Sequence, residues 1–83
     1  MAKKHPQPER GVAGVVERFD PEQGWGVIVA PEVPGDCFVH YSCIETGGYR
    51  ELRTGQQVRF TFEDPGFRQD GCRFRALHVW PQA

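Results

Sequence analysis

The sequence lacks several features that would assign it to a broad functional class. Among its 83 residues there is no apolar run of about eighteen, the length that a membrane-spanning helix requires. The first eight residues lack the apolar stretch of a secretion signal, so we expect a cytoplasmic protein without a membrane partner. There is no nucleophile motif and no phosphate-binding glycine loop followed by Lys. We therefore expect no enzyme activity, no cofactor and no small-molecule substrate. We also expect a monomer.

The sequence contains only three cysteines, an odd number. Cys37, Cys43 and Cys72 cannot form a complete disulfide framework, and no two of them form a Cys-x-x-Cys pair. Cys37 and His40 lie three residues apart on a predicted strand and therefore point to opposite faces. We expect small buried or half-buried thiols and no metal site.

An excess of positive charge is also missing. Ten basic residues stand against eleven acidic ones, a formal net charge of −1. This balance argues against a protein that binds through phosphate contacts alone, but it is compatible with one that relies on base stacking. Eight of the ten cations are Arg, which can lie flat on a base as well as pair with phosphate.

The sequence does contain five short segments with strand composition and no helical stripe of useful length. Val58 to Glu63 alternates most clearly, and we assign Val16, Val58, Phe60 and Phe62 to the core. A helical turn capped by Ser42 is predicted after the third strand. The predicted strands are Val12–Phe19, Trp25–Ala30, Cys37–Tyr41, Val58–Glu63 and Arg73–Trp80.

Five short strands predict an all-β fold, a five-stranded antiparallel Greek-key barrel of the OB-fold type. A barrel is favoured because closure removes exposed strand edges from a small domain. We expect the barrel over residues 12–80, a flexible N-terminal arm over residues 1–11 and a tail over residues 81–83.

Aromatic side chains alternate on the second and third predicted strands. Glycine beside a ring on a strand marks a close approach, and exposed rings on a sheet form a platform for nucleobases. If Ile28 and Val39 point into the barrel, Trp25, Phe38 and His40 point out into solvent. This pattern predicts a face that binds single-stranded nucleic acid.

Four stretches of the sequence, at 14–20, 24–28, 38–42 and 55–60, resemble the bacterial cold-shock domain in order and spacing. The resemblance covers about residues 12–80. It implies an OB-type barrel that binds single-stranded RNA or DNA, with RNP1-like and RNP2-like motifs on strands two and three. It also implies a role as an RNA chaperone or as a regulator of transcription or translation.

The departures from the family pattern predict weakened or re-tuned binding. Glu17-Arg18 stands where the family has Lys-Trp, Gln23 replaces a Lys, and Val27 replaces a Phe. Each lost stack is worth about 1–3 kcal/mol, although Arg18 can partly replace a ring. Tyr49-Arg50 matches a Phe-Lys pair of the family's long loop, and further Arg side chains at 68, 73 and 75 add charge. The candidate binding residues are Trp25, Phe38, His40, Phe19, Tyr41, Arg18, Tyr49 and Arg50.

Alternatives remain open at several of these positions. Phe19, Tyr41 and Tyr49 could pack beneath the site, and Arg18 could be a solvated surface charge. The alternative function is a protein-interaction module on the same barrel, in which the ring patch docks a partner or a second copy and nucleic-acid binding is relaxed.

Overall fold

The computed structural model describes residues 11–46 and 50–82, and these residues form five strands. Every strand end that differs from the prediction differs by one residue. The strands are β1 (Val12–Asp20), β2 (Trp25–Val29), β3 (Cys37–His40), β4 (Gln57–Glu63) and β5 (Phe74–Pro81). Strand β5 extends one residue past the predicted barrel boundary, and the backbone N–H of Gln82 donates to the Gln57 carbonyl at 3.0 Å.

The strands close into a barrel in the order β1-β2-β3-β5-β4, with β4 pairing back to β1. The predicted five-stranded OB-type barrel is confirmed. One pairing, between β3 and β5, is parallel rather than antiparallel. A closed ring with an odd number of strands needs at least one parallel pair, because strand direction must return to its starting value after one circuit.

A 3₁₀ turn, Tyr41–Cys43, follows β3, and its cap differs from the prediction. The residue that caps it is His40, whose Nδ1 accepts a hydrogen bond from the backbone N–H of Ser42 at 3.3 Å. The predicted cap, Ser42, lies inside the turn because β3 ends one residue earlier than expected. Within the part of the chain that the structure describes, no helix has the length and apolar character needed to cross a membrane.

The barrel interior holds the main core cluster, and burial of apolar side chains there is the principal stabilising term. The predicted core residues Val16, Val58 and Phe60 are at most 1% exposed, and Phe62 is partly buried against them. The cluster also contains Ile28, Val33, Cys37, Val39, Ile44, Leu52, Phe74, Ala76 and Val79.

The three cysteines are free thiols, as predicted. Cys37 and Cys72 are buried and Cys43 is partly exposed. Burial, with a smaller contribution from the neighbouring thiols, raises the pKa of Cys37 to about 12. This thiol is therefore protonated and unreactive at neutral pH.

Candidate nucleic-acid interface

The pairing of β2 with β3 determines which side chains share a face. Directly opposed residues on antiparallel strands point the same way. The pair Gly26–Val39 faces inward, and Val39 is 0% exposed. Trp25–His40 and Val27–Phe38 are the alternate pairs and face outward. The outward orientation predicted for Trp25, Phe38 and His40 is therefore confirmed.

Trp25 and Phe38 form the central ring pair of this face. Their centroids are 5.3 Å apart with an interplanar angle of 26°, a stacked arrangement. Trp25 is half-buried, but Phe38 is only 8% exposed. The expected exposure of Phe38 is therefore corrected: its ring points out of the barrel and is covered there by Trp25, Val27 and Cys72.

One of the residues that cover Phe38, Cys72, belongs to a tight hairpin in the β4–β5 connection, Gln69–Cys72. Two backbone hydrogen bonds of 2.9 and 2.8 Å join Gln69 and Cys72. The two residues between them, Asp70 (φ 50°) and Gly71 (φ 83°), have the positive φ angles of a type I′ turn. The turn brings Cys72 against Phe38 and Val27. The Asp-Gly pair is the sequence signal that could have identified this hairpin, which our sequence analysis did not use.

Arg18 lies beside the indole of Trp25. Its guanidinium carbon is 5.8 Å from the ring centroid, within the range of a cation–π contact. The indole Nε1 donates to Oε1 of Gln23 at 3.0 Å, a second contact that restrains the ring. Both contacts involve residues that differ from the family pattern, and both hold Trp25 in one orientation.

A bulge in β1 determines where Arg18 and Phe19 point. The register shifts between Val16 and Arg18, so Glu17 is the extra residue. Arg18 then pairs with the outward residue Val27, and Phe19 pairs with Gly26. Phe19 is partly buried and packs against the main core cluster, as the alternative for this residue stated.

Gly26 permits this close approach of β1 to β2. A Cβ at this position would lie 2.7 Å from Cα of Phe19 and would collide with the backbone oxygen of Arg18. The glycine beside the ring of Trp25 is therefore required by the packing of two backbones.

His40 and Tyr41 form a second ring pair at the end of β3, with centroids 4.5 Å apart. Tyr41 is 46% exposed and packs on Gly24, whose φ is +79° and where a Cβ would lie 2.6 Å from the phenol ring. Arg50 is exposed and lines a recess of about 320 Å³ together with Tyr41. Tyr49, the remaining candidate, lies outside the described residues.

The other arginines expected near this face occupy different positions. Arg75 pairs with Phe38 across β3 and β5 and so lies on the outward face. Arg73 bonds Asp64 at 3.5 Å, and Arg68 donates to the Gly71 carbonyl at 3.3 Å, both in the β4–β5 connection. Among the described residues, no group of three or more His, Cys, Asp or Glu side chains is arranged to hold a metal ion.

Comparison with known proteins adds an independent line of information. A family model described as the 'Cold-shock' DNA-binding domain matches residues 12–81. The chain is 51% identical over 55 residues to the major cold shock protein CspA of Bacillus cereus, covering 64% of this chain and 78% of that protein. It is 49% identical over 47 residues to the cold shock-like protein CspD of Haemophilus influenzae, covering 57% and 65%. It is 45% identical over 47 residues to a cold shock protein of Arthrobacter globiformis, covering 57% and 70%.

Proposed function

The chain belongs to the cold-shock domain family, a family of nucleic-acid-binding proteins, and we propose that it binds single-stranded RNA or DNA by stacking bases on the outward face of β2 and β3. The observation that carries this proposal is the stacked pair of Trp25 and Phe38 on the outward face of strands whose inward face is core. Every base has an aromatic ring face that can stack on such a pair, so binding of this kind depends little on the base sequence.

Trp25 is the main stacking surface in this proposal. Its indole is half-buried, whereas Phe38 behind it is almost fully covered. Phe38 packs against the indole, and Arg18 and the hydrogen bond from Nε1 to Gln23 restrain it further. A ring held in one orientation loses less conformational freedom on binding, which favours affinity.

His40, Tyr41 and Arg50 extend the platform along the end of β3. The exposed phenol of Tyr41 offers a second ring, and the neighbouring Arg50 supplies a cation for phosphate. Phe19 acts from below by holding β1 against Gly26. Tyr49 is included in the proposal from the family resemblance.

The local charge supports binding that depends mainly on stacking. Arg18 lies over the indole, but Glu17 and Asp20 flank it on β1. The number of counterions released on binding follows the number of phosphates contacted. Binding mainly by stacking contacts few phosphates, so the affinity should depend only weakly on salt. By holding unpaired bases, such a protein would act as an RNA chaperone or as a regulator of transcription or translation. We place this role in the cytoplasm and assign it to a monomer.

The proposal is tested by titrating the protein with single-stranded heptamers of dT or U and with a duplex control. The Trp80→Phe variant leaves Trp25 as the sole indole, so its fluorescence reports on the site directly. We expect single strands to quench this fluorescence. With a fluorescently labelled strand and its anisotropy as the readout, which needs no indole, binding should weaken by about 1–3 kcal/mol for Trp25→Ala but by less for Trp25→Phe.

Val29→Ala is the matched control, because Val29 lies on the same outward face of β2 but away from the ring pair. Its affinity should equal that of the parent protein. An absence of any response at strand concentrations of about 100 µM, the weak limit of non-specific binding, would contradict the proposal.

One observation favours the alternative, a protein-interaction surface that docks a second copy. Val15 and Val29 are cross-strand partners on the outward face, 41% and 36% exposed. If this apolar pair mediates self-association, elution volume in size-exclusion chromatography should change with concentration, and Val15→Asp should abolish the change. A constant elution volume would dismiss this alternative.

A further inference from the structure

A recess of about 340 Å³ lies on the outward face between β3 and the start of β5. Its walls include the rings of Phe38 and His40 and the polar side chains of Gln69 and Arg75. This volume is at the lower end of the roughly 300–1,000 Å³ that is usual for small-ligand clefts. The recess therefore combines ring surfaces with hydrogen-bonding groups in a space suited to a single nucleobase.

The parallel pairing of β3 with β5 places Arg75 beside the ring wall. The register joins Cys37 with Phe74 and Phe38 with Arg75. Cys37 and Phe74 are buried in the main cluster, so the next pair, Phe38 and Arg75, faces outward. The guanidinium thus approaches the recess from the side opposite β2.

Glu63 orients this guanidinium. It lies opposite Arg75 on β4, and its Oε2 accepts a hydrogen bond from Nε of Arg75 at 2.6 Å. The two side chains are 38% and 43% exposed, so the pair contributes little to stability. Its consequence is that Glu63 takes up the Nε–H, which leaves the terminal nitrogens, Nη1 and Nη2, to donate to another group.

His40 forms a ring wall that is also fixed in orientation. Its Nδ1 accepts from the Ser42 backbone N–H at 3.3 Å and lies 2.8 Å from the Ser42 hydroxyl. With Nδ1 accepting, the neutral ring carries its proton on Nε2. The ring face and this N–H are the groups that a base in the recess would meet.

We propose that this recess is a guanine-selective subsite in which Arg75, oriented by Glu63, donates two hydrogen bonds to a base stacked against His40. Guanine presents adjacent acceptors, O6 and N7, that match the two donors of an arginine fork. On this same edge, the one that carries O6 and N7 in guanine, adenine presents a donor at N6, and the pyrimidines present a single donor or acceptor. The inference deepens the proposed function and rests on it.

The first test changes the ligand and leaves the protein intact. Dissociation constants are measured by fluorescence anisotropy at one salt concentration for a dT heptamer and for heptamers with one guanine at each position in turn. We expect guanine at one position to strengthen binding roughly 5- to 100-fold. Replacing that guanine with 7-deazaguanine, which lacks the N7 acceptor, should remove most of the gain.

The second test changes the protein. Arg75→Lys keeps the charge but removes the planar fork, so the ratio of the dissociation constant of the dT heptamer to that of the guanine-containing heptamer should fall. It should not reach one, because a lysine ammonium can still donate to O6 or N7. Glu63→Gln should reduce the ratio without removing a donor from the recess. Arg73→Lys is the matched control, since Arg73 pairs with Asp64 outside the recess, and it should retain the ratio.

The outcomes separate the two proposals. If the dT heptamer binds but no guanine position strengthens binding, or if 7-deazaguanine keeps the full gain, the guanine subsite is refuted and the stacking function stands. If no single-stranded heptamer binds, both proposals are refuted.

Discussion

The two faces of β2 and β3 differ in how their apolar side chains are buried. On the inward face, Ile28 and Val39 are 0% exposed within a cluster to which all five strands contribute. On the outward face, Phe38 is nearly as well buried, but its cover consists of Trp25, Val27 and one hairpin residue, Cys72. Burial in the barrel is maintained by the closed sheet, whereas burial on the outside depends in part on a residue from a short connecting hairpin.

The largest difference between the faces should appear when neighbouring residues of β2 are truncated. Ile28→Ala removes a side chain from the main cluster and should lower the free energy of unfolding by about 2–5 kcal/mol. Val29→Ala, one residue further along, removes an exposed side chain and should change it by about 0.5 kcal/mol or less. Urea unfolding of both variants measures the contrast, and equal losses would show that the faces are not distinct.

The unfolding free energy should depend on pH because Cys37 is buried on the inward face. Its pKa is 9.0 in an unfolded chain and about 12 in the fold, so the folded state holds the proton more tightly. The resulting stabilisation is complete below pH 9 and is lost as the pH rises from 9 towards 12.

Cys37→Ala should therefore make the decline in unfolding free energy above pH 9 shallower, by up to about 1.4 kcal/mol per pH unit. Val39→Ala, a truncation on the same face of β3 without a titratable group, should leave the slope unchanged. If the unfolding free energies of the parent protein and of Cys37→Ala decline equally steeply above pH 9, the decline does not come from the Cys37 thiol.

The smallest effect concerns the hairpin on the outward face. Gly71 has a φ of +83°, and a Cβ there would meet no atom within 4 Å, so Gly71→Ala costs only the left-handed conformation, about 1 kcal/mol. The hairpin should then open about fivefold more often, and the Cys72 thiol should react correspondingly faster with a disulfide reagent. Cys37 should not respond.

Gly55→Ala provides the matched control for the hairpin. Gly55 also has a positive φ, +87°, and open space around it, but it precedes β4. The same conformational cost there should leave Cys72 reactivity unchanged. If both variants expose Cys72 equally, the cover over Phe38 opens only with the whole barrel.

Much of the fold could be predicted from local pattern. Alternation along β4 and the breaks at Pro and Gly located the strands to within one residue. The opposite parity of Ile28 and Trp25 predicted which rings point outward, because successive side chains on a strand alternate between faces. The positions of Arg18 and Phe19 could not be predicted this way, since the bulge at Glu17 reverses the alternation from that point on.

The face of the sheet to which each side chain points was thus determined by the sequence itself, because the two-residue period is a property of the extended backbone. Exposure was decided only by the tertiary structure. Phe38 points outward as its position requires, yet a hairpin more than 30 residues away covers it. Arg75 likewise lies on the ring face only because the barrel closes with β5 paired in parallel to β3, a strand order that local pattern does not give.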